Sequence, residues 1–328
     1  MSKVPFFKRT RKDPYTYTVA FYNLENLFDI KDDHRTLDDD FLPDSEKRWD
    51  RKKYESKLFK LGKAISNVGF DKTGKPPSIV GLAEVENKTV VEQLVRSKHL
   101  KNKDYGVVHY DSPDERGIDT ALIYQKRSFE VEDSRTIPLL LFDEFGQRDY
   151  TRDILHVTGK LNGERMHVLV NHWPSRRSGA DETSAKRIEA ARTVREVVEG
   201  IQEEEEDPGI LIMGDFNDEP YSESIKEHLL TPKLINPMER LLGQDRGSLN
   251  HRRQWNLFDQ IILSHNFLKM ERGTHHFAHV DIFDKRFLAE WDGRYKGNPF
   301  RTYVGRKYLG GYSDHFPVYV QLKYTNPH

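Results

Sequence analysis

Short apolar runs, each bounded by polar or turn-forming residues, recur along this chain of 328 residues. The clearest is GILIMG at residues 209–214, and others are SIVGLA, HVLV and QIIL. Apolar runs of this length without polar alternation are typical of strands that are buried on both faces. A strand of that kind needs a covering layer on each side, so the chain is expected to build sheets that other elements cover.

Segments between these strands have the spacing of amphipathic helices, with apolar residues three or four positions apart. The two longest lie in residues 49–68 and 188–201. Strands outnumber helices, and we find no internal repeat and no linker rich in Gly, Pro or Ser. We therefore predict one α/β domain over residues 1–328, with a core from about 15 to 323, in which two packed sheets have helices outside. Segments near 31–48 and 284–312 are expected to be insertions in this core.

Composition excludes several classes of protein. Charged residues make up 32% of the chain but nearly cancel, giving a net charge of −1. This balance argues against a dedicated basic coat for nucleic acid, although a local basic groove stays open. The chain contains no cysteine, which excludes disulfides, thiolate metal sites and cysteine nucleophiles.

The sequence shows no segment for membrane insertion or export. The amino-terminal MSKVPFFKRTRKDP has too short an apolar region for a signal peptide. No apolar stretch approaches the length of a membrane span. We therefore expect a cytoplasmic protein, or a secreted one if a leader precedes this sequence.

Side chains suited to metal binding or proton transfer stand where the apolar strands end or begin. These positions are Asn23 and Glu25, Glu84, His172, Asp215 and Asn217, Asp259, and Asp314 with His315. A sheet places its strand ends side by side, so residues far apart in sequence can converge on one cleft. Any one of them alone would more often be a solvated loop residue, and Asp and Asn also stabilise turns. Six such sites next to predicted buried strands make coincidence a poor explanation.

The residue types in this group are chemically compatible with one another. Oxygen ligands from Glu, Asp and Asn suit Mg²⁺ or Mn²⁺. Two histidines beside a carboxylate-bound cation suit general acid–base chemistry on a phosphate ester. The group therefore predicts a metal-dependent phosphoester site.

Three other motifs suggest functions that their details contradict. GFDKTGKP at 69–76 approaches a phosphate-binding P-loop, but Pro76 replaces the required Ser or Thr, and we expect a turn there. DFNDEP begins like a calcium loop but has Pro220 where Gly is required. A group of three histidines could suggest a zinc site, but we expect these residues to line an exposed strand instead. They are His275, His276 and His279.

With these residues in place, the sequence resembles the endonuclease/exonuclease/phosphatase superfamily, which has the DNase I-like fold. The matching segments are FYNLEN, IVGLAEVEN, RGIDTALIY, LVNHWPSR, GDFND, FDQIILS and GYSDHFPV, which occur in the family's order over residues 21–318. NLENLFD, EVEN and NHWPSR are closest to a bacterial nuclease-like branch. The resemblance implies a four-layer α/β/β/α sandwich of two packed mixed sheets, and divalent-metal-dependent phosphoester hydrolysis.

The resemblance also implies a role for each matched residue. Those on the metal side are Glu84 as principal ligand, Asn23, Asp314, and Glu25 where many relatives have Asp. Those in catalysis are Asp215 and Asn217, which orient phosphate and water, His172, which contacts the phosphate or leaving group, and Asp259, which orients His315. Asp119 and Arg176 are expected to contact the substrate. Either Asp215 or His315 accepts the proton of the attacking water, and this choice stays open.

The segment 284–312 is rich in both basic and aromatic residues and runs directly into the SDH motif. Such residues can stack bases and follow phosphates, which makes Arg301 and Arg306 candidate substrate contacts. The alternative is that the aromatic residues only pack this long loop onto the domain.

The first functional hypothesis is a Mg²⁺- or Mn²⁺-dependent phosphodiesterase that acts on DNA or RNA. The second is a phosphatase acting on a soluble phosphorylated metabolite, an inositol phosphate or a lipid head group, which the near-neutral charge favours slightly. A third is a binding module without turnover, which the complete set of catalytic residues disfavours. No protein partner is predicted.

Overall fold

Two six-stranded sheets form the centre of the molecule, which is described here from a computed structural model. The structure describes residues 12–143, 145–176, 179–243 and 245–326. The prediction that no signal peptide is present concerns a segment that lies mostly outside the described residues. None of the helices in the described ranges combines the length and the apolarity needed to cross a bilayer.

Eighteen strands are assigned within the described residues. They are β1 Thr16–Leu27, β2 Ile79–Val85, β3 Tyr105–His109, β4 Asp119–Gln125, β5 Phe129–Ile137, β6 Leu141–Phe142, β7 Arg148–Asp149, β8 Ile154–Leu161, β9 Glu164–His172, β10 Gly209–Asp215, β11 Leu234–Ile235, β12 Leu249–His251, β13 Gln254–Asn256, β14 Asp259–Ser264, β15 His275–Ile282, β16 Tyr303–Val304, β17 Lys307–Tyr308 and β18 Val318–Tyr324.

The α-helices are fewer. They are α1 Arg51–Asn67, α2 Phe70–Thr73, α3 Lys88–Val95 and α4 Ala180–Glu204. Short 3₁₀ turns occur at Asp39–Phe41, Pro237–Leu241, His265–Leu268 and Arg286–Leu288, and a π-helix occurs at Ser224–Leu229.

The two sheets share one design. The first has the order β15-β18-β1-β2-β4-β3 and the second the order β11-β14-β10-β9-β8-β5. Each contains one parallel pair near its centre, β1 with β2 and β9 with β10, flanked by antiparallel neighbours. The predicted mixed sheets are confirmed.

Strand β10 shows why the sheets are covered on both faces. Its successive side chains point to opposite faces, as in any strand. Met213 lies in the apolar core between the sheets, whereas Ile212 packs with Val194 of α4 on the outer face. A Cβ added at Gly81 in the first sheet would lie 2.5 Å from the Met213 sulfur, so glycine allows the sheets to approach here. Helices α1 and α3 add apolar residues to the first sheet. The predicted four-layer α/β/β/α sandwich is confirmed.

Some local expectations were incomplete or wrong. Strand β5 has mostly polar residues at the edge of its sheet and was not predicted. The predicted turn at 69–76 contains the single-turn helix α2. The histidines at 275–279 do form a strand, but His275 is buried, and its Nδ1 lies 2.5 Å from the Glu164 carboxylate.

The two predicted insertions pack against each other at the rim of the sandwich. Phe41, from segment 31–48, stacks on Phe28 with ring centroids 4.6 Å apart. Tyr303, from segment 284–312, meets the Phe41 ring edge-on at 6.5 Å. An ion pair of 2.5 Å between Arg306 Nε and Glu46 Oε2 links the same two segments.

Candidate active site

The carboxyl ends of the parallel strands β1 and β2 are bent, and the bends aim polar side chains into one cleft. The strand register shifts there, and three residues have left-handed backbone, with φ 53° at Glu25, 56° at Asn26 and 61° at Glu84. Such strain in residues other than glycine is typical of functional sites. The Asn26 amide donates to Glu84 Oε2 at 2.8 Å. Asn23 Nδ2 donates to Asp215 Oδ2 at 3.0 Å and so connects the two sheets.

The turn after β10 fixes the Asp215 carboxylate from its other side. Asp215 Oδ1 accepts from the Asn217 amide at 3.0 Å, and Asn217 has φ 50°. Asn217 Nδ2 donates to the Trp173 carbonyl at 3.0 Å. Arg176 Nε donates to the Asn217 carbonyl at 2.7 Å, and Arg176 Nη2 to Asp218 at 2.5 Å. The structure thus places Arg176 on this turn, which it holds.

Three of the predicted site residues lie side by side because strands β9, β10 and β14 are neighbours. The strand register pairs Asp215 with His172 on one side and with Asp259 on the other. His315 Nδ1 lies 2.7 Å from the fully buried Asp259 Oδ2, and His315 Nε2 lies 3.9 Å from Asp215 Oδ2. The Asp259–His315–Asp215 row is the arrangement expected of a group that exchanges protons.

Burial and neighbouring charges leave the pKa values of both His315 and Asp215 raised. Burial disfavours the imidazolium, but Asp259 and Asp215 outweigh it and raise the pKa of His315 well above its ordinary value. Burial and the neighbouring Asp259 raise the pKa of Asp215 to about 7, against the pull of His315. Each of the two groups therefore favours the charged form of the other.

His172 completes the floor of the cleft. Its Nε2 lies 3.9 Å from Glu84 Oε1 and 4.0 Å from Asp215 Oδ2. Burial and nearby arginines lower the pKa of His172 well below its ordinary value, so the ring is neutral. One of those arginines, Arg116, also lies 3.9 Å from Glu84 Oε2. A neutral ring in this position can offer an N–H to an oxygen of a bound phosphate.

Glu25 does not join this cleft, which corrects its predicted role as a metal ligand. Its two carboxylate oxygens accept from the backbone amides of Thr302 at 2.6 Å and Tyr303 at 3.4 Å. The buried Lys57 ammonium lies 3.7 Å away. The left-handed φ of Glu25 directs its side chain to the 284–312 segment, where it anchors the loop.

The donor set that remains fits a hard divalent cation. Glu84 and Asp314 supply carboxylate oxygens, the ligands that Mg²⁺ and Mn²⁺ prefer. Asn23 turns its Nδ2 to Glu84 and Asp215, and its Oδ1 accepts from the Glu25 amide at 3.0 Å. Asp314 Oδ1 lies 3.9 Å from His315 Nε2, which places this carboxylate at the same cleft. Among the described residues, Glu84 Oε1 accepts one hydrogen bond, from Asn23 Nδ2, and this bond is long at 3.4 Å. This oxygen is therefore free to bind a metal.

The other predicted substrate contacts lie around the rim. Arg301 borders the cleft, with Nη2 3.4 Å from Asp314 Oδ2. Arg306 lies in the turn between β16 and β17 and is largely exposed. Asp119 is buried at the same sheet edge but accepts from the Ser112 amide at 2.9 Å and lies 3.1 Å from His109 Nε2. The structure therefore does not bring Asp119 together with the catalytic row.

Several supporting residues escaped sequence reasoning. Arg187 Nε lies 2.8 Å from Asp218 Oδ2 and holds the turn after Asp215. Arg152 Nη1 donates to Asp114 at 3.1 Å and its Nη2 to the Trp173 carbonyl. These are buried ion pairs between residues distant in sequence, and no local pattern indicates them. Arg116 stands in the quoted motif RGIDTALIY, three residues before Asp119, so its place in that motif could have suggested a role.

Similar structures share this fold over nearly the whole chain. D. rerio TDP2 complexed with a single-strand DNA product is 15% identical, with a TM-score of 0.58, and the match covers 94% of this chain and 99% of that chain. A Bacteroides thetaiotaomicron mannosyl-6-phosphatase is 18% identical, with a TM-score of 0.58, over 94% and 100%. The human Nocturnin catalytic domain with bound sulfate is 15% identical, with a TM-score of 0.56, over 96% and 97%. Identities this low show the fold alone. No curated protein sequence matches the chain.

A two-sheet sandwich with acidic residues and histidines at one edge defines a class of phosphoester hydrolases. A family model described as the Endonuclease/Exonuclease/phosphatase family matches residues 18–324. The chain belongs to this family, and it is a phosphoesterase. Enzymes of the family are generally dependent on a divalent metal.

Proposed function

We propose that this protein is a Mg²⁺- or Mn²⁺-dependent phosphodiesterase that acts on nucleic acid. The observation that supports this most is the row of Asp259, His315 and Asp215 beside the Glu84 carboxylate. A non-catalytic binding module would have no need for a fully buried Asp259 held 2.7 Å from a histidine. The proposal is supported because an Asp–His pair and further carboxylate oxygens lie at a single cleft.

Each side chain in the cleft has a distinct task. Glu84 and Asp314 would hold the metal, which supplies positive charge against the phosphate oxygens, and Asn23 supports this site by donating to the Glu84 and Asp215 carboxylates. Either Asp215 or His315 accepts the proton of the attacking water, because 3.9 Å between Asp215 Oδ2 and His315 Nε2 is a distance that one water can bridge.

The groups around this pair orient it and the substrate. Asp259 fixes the His315 ring by holding Nδ1, so that Nε2 faces the cleft. Asn217 holds the Asp215 carboxylate through its amide and so sets the direction of that oxygen. His172 donates from Nε2 to a phosphate oxygen or to the leaving group.

The surroundings of the cleft favour a polymeric substrate. Segment 284–312 presents Arg301 at the cleft and Arg306 on its exposed turn, together with the exposed aromatic rings of Trp291 and Tyr295. Exposed rings and guanidinium groups can stack bases and bind phosphates. The fold is also that of D. rerio TDP2, whose structure contains a single-strand DNA product.

A phosphatase acting on a small phosphorylated metabolite is the second candidate. The net charge of −1 provides little general attraction for a polyanion. The Bacteroides thetaiotaomicron mannosyl-6-phosphatase shows that this fold can serve such a substrate.

A substrate panel separates the two candidates. Single-stranded DNA, RNA, bis-p-nitrophenyl phosphate and p-nitrophenyl phosphate would each be tested with Mg²⁺, with Mn²⁺ and with EDTA. We expect hydrolysis of the nucleic acids and of the synthetic diester, and none with EDTA. Hydrolysis of the monoester alone would overturn the diesterase proposal in favour of the phosphatase.

A variant tests the contribution of the rim. Arg301→Ala combined with Arg306→Ala should raise KM for nucleic acid and leave turnover of the synthetic diester nearly unchanged. An equal loss on both substrates would mean that the loop only holds Asp314 and His315 in place.

A further inference from the structure

A two-stranded hairpin next to the catalytic histidine has arginines at its tip. Strands β12 and β13 pair so that His251 faces Gln254, leaving Arg252 and Arg253 as a two-residue loop. The base of the hairpin is attached to the site, because Leu249 forms a β-bridge with His315. The hairpin therefore has a fixed position relative to the catalytic row.

The backbone at this tip is costly for arginine. Arg252 has φ 49° and Arg253 has φ 68°, as a type I′ turn requires. Asn-Gly is the favoured pair for such a turn, because these residues tolerate left-handed backbone well. Two arginines here are unfavourable for the turn itself, which suggests that the side chains serve another purpose.

A cavity of about 690 Å³ separates the hairpin tip from segment 284–312. Five cationic side chains line it: Arg252, Arg253, Arg294, Arg301 and Lys307. Among the residues that the structure describes, two carboxylates line it, Glu290 and Asp314. Asp314 and Arg301 border both the cavity and the cleft, so the two spaces lie next to each other.

Most of this positive charge is not neutralised by the protein. Arg301 is paired with Asp314 at 3.4 Å. Within the described residues, none of the other four cations lies within 4.0 Å of a carboxylate oxygen, whereas Arg306 on the same loop does. An excess of unpaired cations on two facing elements suits an anion with several oxygen atoms.

We propose that this cavity binds a second phosphate group of the substrate, held by Arg252 and Arg253, while the scissile phosphate lies at the catalytic row. The inference rests on the proposed function and specifies its substrate class as molecules with at least two phosphates. An oligonucleotide and a small sugar bisphosphate both offer this chemistry.

The hairpin provides an unusual variant for the test. Arg252→Asn with Arg253→Gly removes both cations and introduces the pair that the turn prefers, so the fold should be preserved. Arg252→Lys with Arg253→Lys keeps the charge. Lys101→Gln with Arg192→Gln removes two exposed cations that do not line the cavity and serves as the matched control.

Binding would be measured in EDTA, so that the result does not depend on turnover. The probes are a fluorescently labelled DNA of about ten nucleotides, roughly the length that such grooves bind, and, by competition, a sugar bisphosphate. We expect the Asn-Gly variant to raise Kd for the DNA about tenfold and to reduce the slope of log Kd against log salt by about two, one for each lost contact. The lysine variant and the control should stay within about threefold of wild type.

The outcomes separate the proposals. Weaker DNA binding alone assigns the second phosphate to a nucleic acid strand, and weaker bisphosphate binding alone assigns it to a small substrate. Unchanged Kd for both probes in the Asn-Gly variant, with an unfolding midpoint no lower than wild type, would overturn the subsite. In contrast, failure of the proposed function would appear as absence of metal-dependent hydrolysis in wild type, whatever the binding result.

Discussion

Lys57→Met tests how the fold holds its active-site loop. The Lys57 ammonium is buried and lies 3.7 Å from the Glu25 carboxylate. It donates to Thr302 Oγ1 at 2.5 Å, to the Tyr312 carbonyl at 2.9 Å and to the Glu25 carbonyl at 3.2 Å. Methionine has a similar length but no charge and no donor. The change therefore leaves one buried carboxylate without its cation and removes the Lys57 donor from two backbone carbonyls.

The expected cost follows from that loss. Breaking a buried ion pair from one side typically destabilises a protein by about 3–5 kcal/mol. We therefore predict that Lys57→Met lowers the free energy of unfolding by about 4 kcal/mol, measured by urea denaturation. Tyr312 lies two residues before Asp314, so the variant should also displace the side chains of the site. We therefore expect kcat for the synthetic diester to fall roughly 10- to 100-fold.

The double variant with Glu25→Gln is the control. The glutamine introduced by this change can still accept from the Thr302 amide but needs no cation. The double variant should therefore recover at least half of the stability lost by Lys57→Met. A loss below about 1 kcal/mol for Lys57→Met, or additive losses in the double variant, would refute the buried ion pair as the anchor of this loop.

Three further predictions concern other parts of the molecule. His315→Ala should lower kcat for the synthetic diester by roughly 10²–10⁴-fold, and adding Asp259→Ala should lower it little further, because the two residues act as one unit. Additive losses in the same assay would argue against this cooperation. Burial, aided by His167, lowers the pKa of His156 to about 4. As pH falls, the unfolded chain therefore protonates His156 before the folded chain does, so stability is lost between about pH 6.5 and about pH 4. His156→Gln should remove on the order of 3 kcal/mol of that loss, measured by urea denaturation at both pH values. Arg306→Ala removes an exposed ion pair and should change the free energy of unfolding by less than about 0.5 kcal/mol, measured by urea denaturation.

The sandwich could be predicted because its strands are buried on both faces. A run such as GILIMG has few alternatives to a central strand, and the β10 side chains do divide between two cores. Edge strands lack this pattern, which is why β5 was missed. The expectation that His275 is exposed was wrong, since its ring bonds to Glu164 from the other sheet. Long-range contacts of this kind leave no local pattern in the sequence.

The candidate site, like the fold, was predictable from sequence in some parts and not in others. Strand ends converge at the edge of a sheet, so the neighbouring positions of His172, Asp215 and Asp259 could be predicted from the sequence. The direction of a side chain at a bulge was not, because φ 53° turns Glu25 away from the cleft. The hairpin beside His315 was missed for another reason, since its turn lacks the usual Asn-Gly pair.

The metal dependence of one reaction tests the account most directly. Hydrolysis of bis-p-nitrophenyl phosphate would be measured against Mg²⁺ and Mn²⁺ concentration for wild type and for Glu84→Gln. The Glu84 carboxylate accepts from the Asn26 amide at 2.8 Å, a bond that glutamine can keep, so the fold should be preserved. We predict that EDTA abolishes wild-type turnover and that the variant requires at least about tenfold more metal for a much lower maximal rate. Turnover that survives EDTA in wild type, or an unchanged metal requirement in Glu84→Gln, would contradict the assignment of this cleft as a metal-dependent phosphoesterase site.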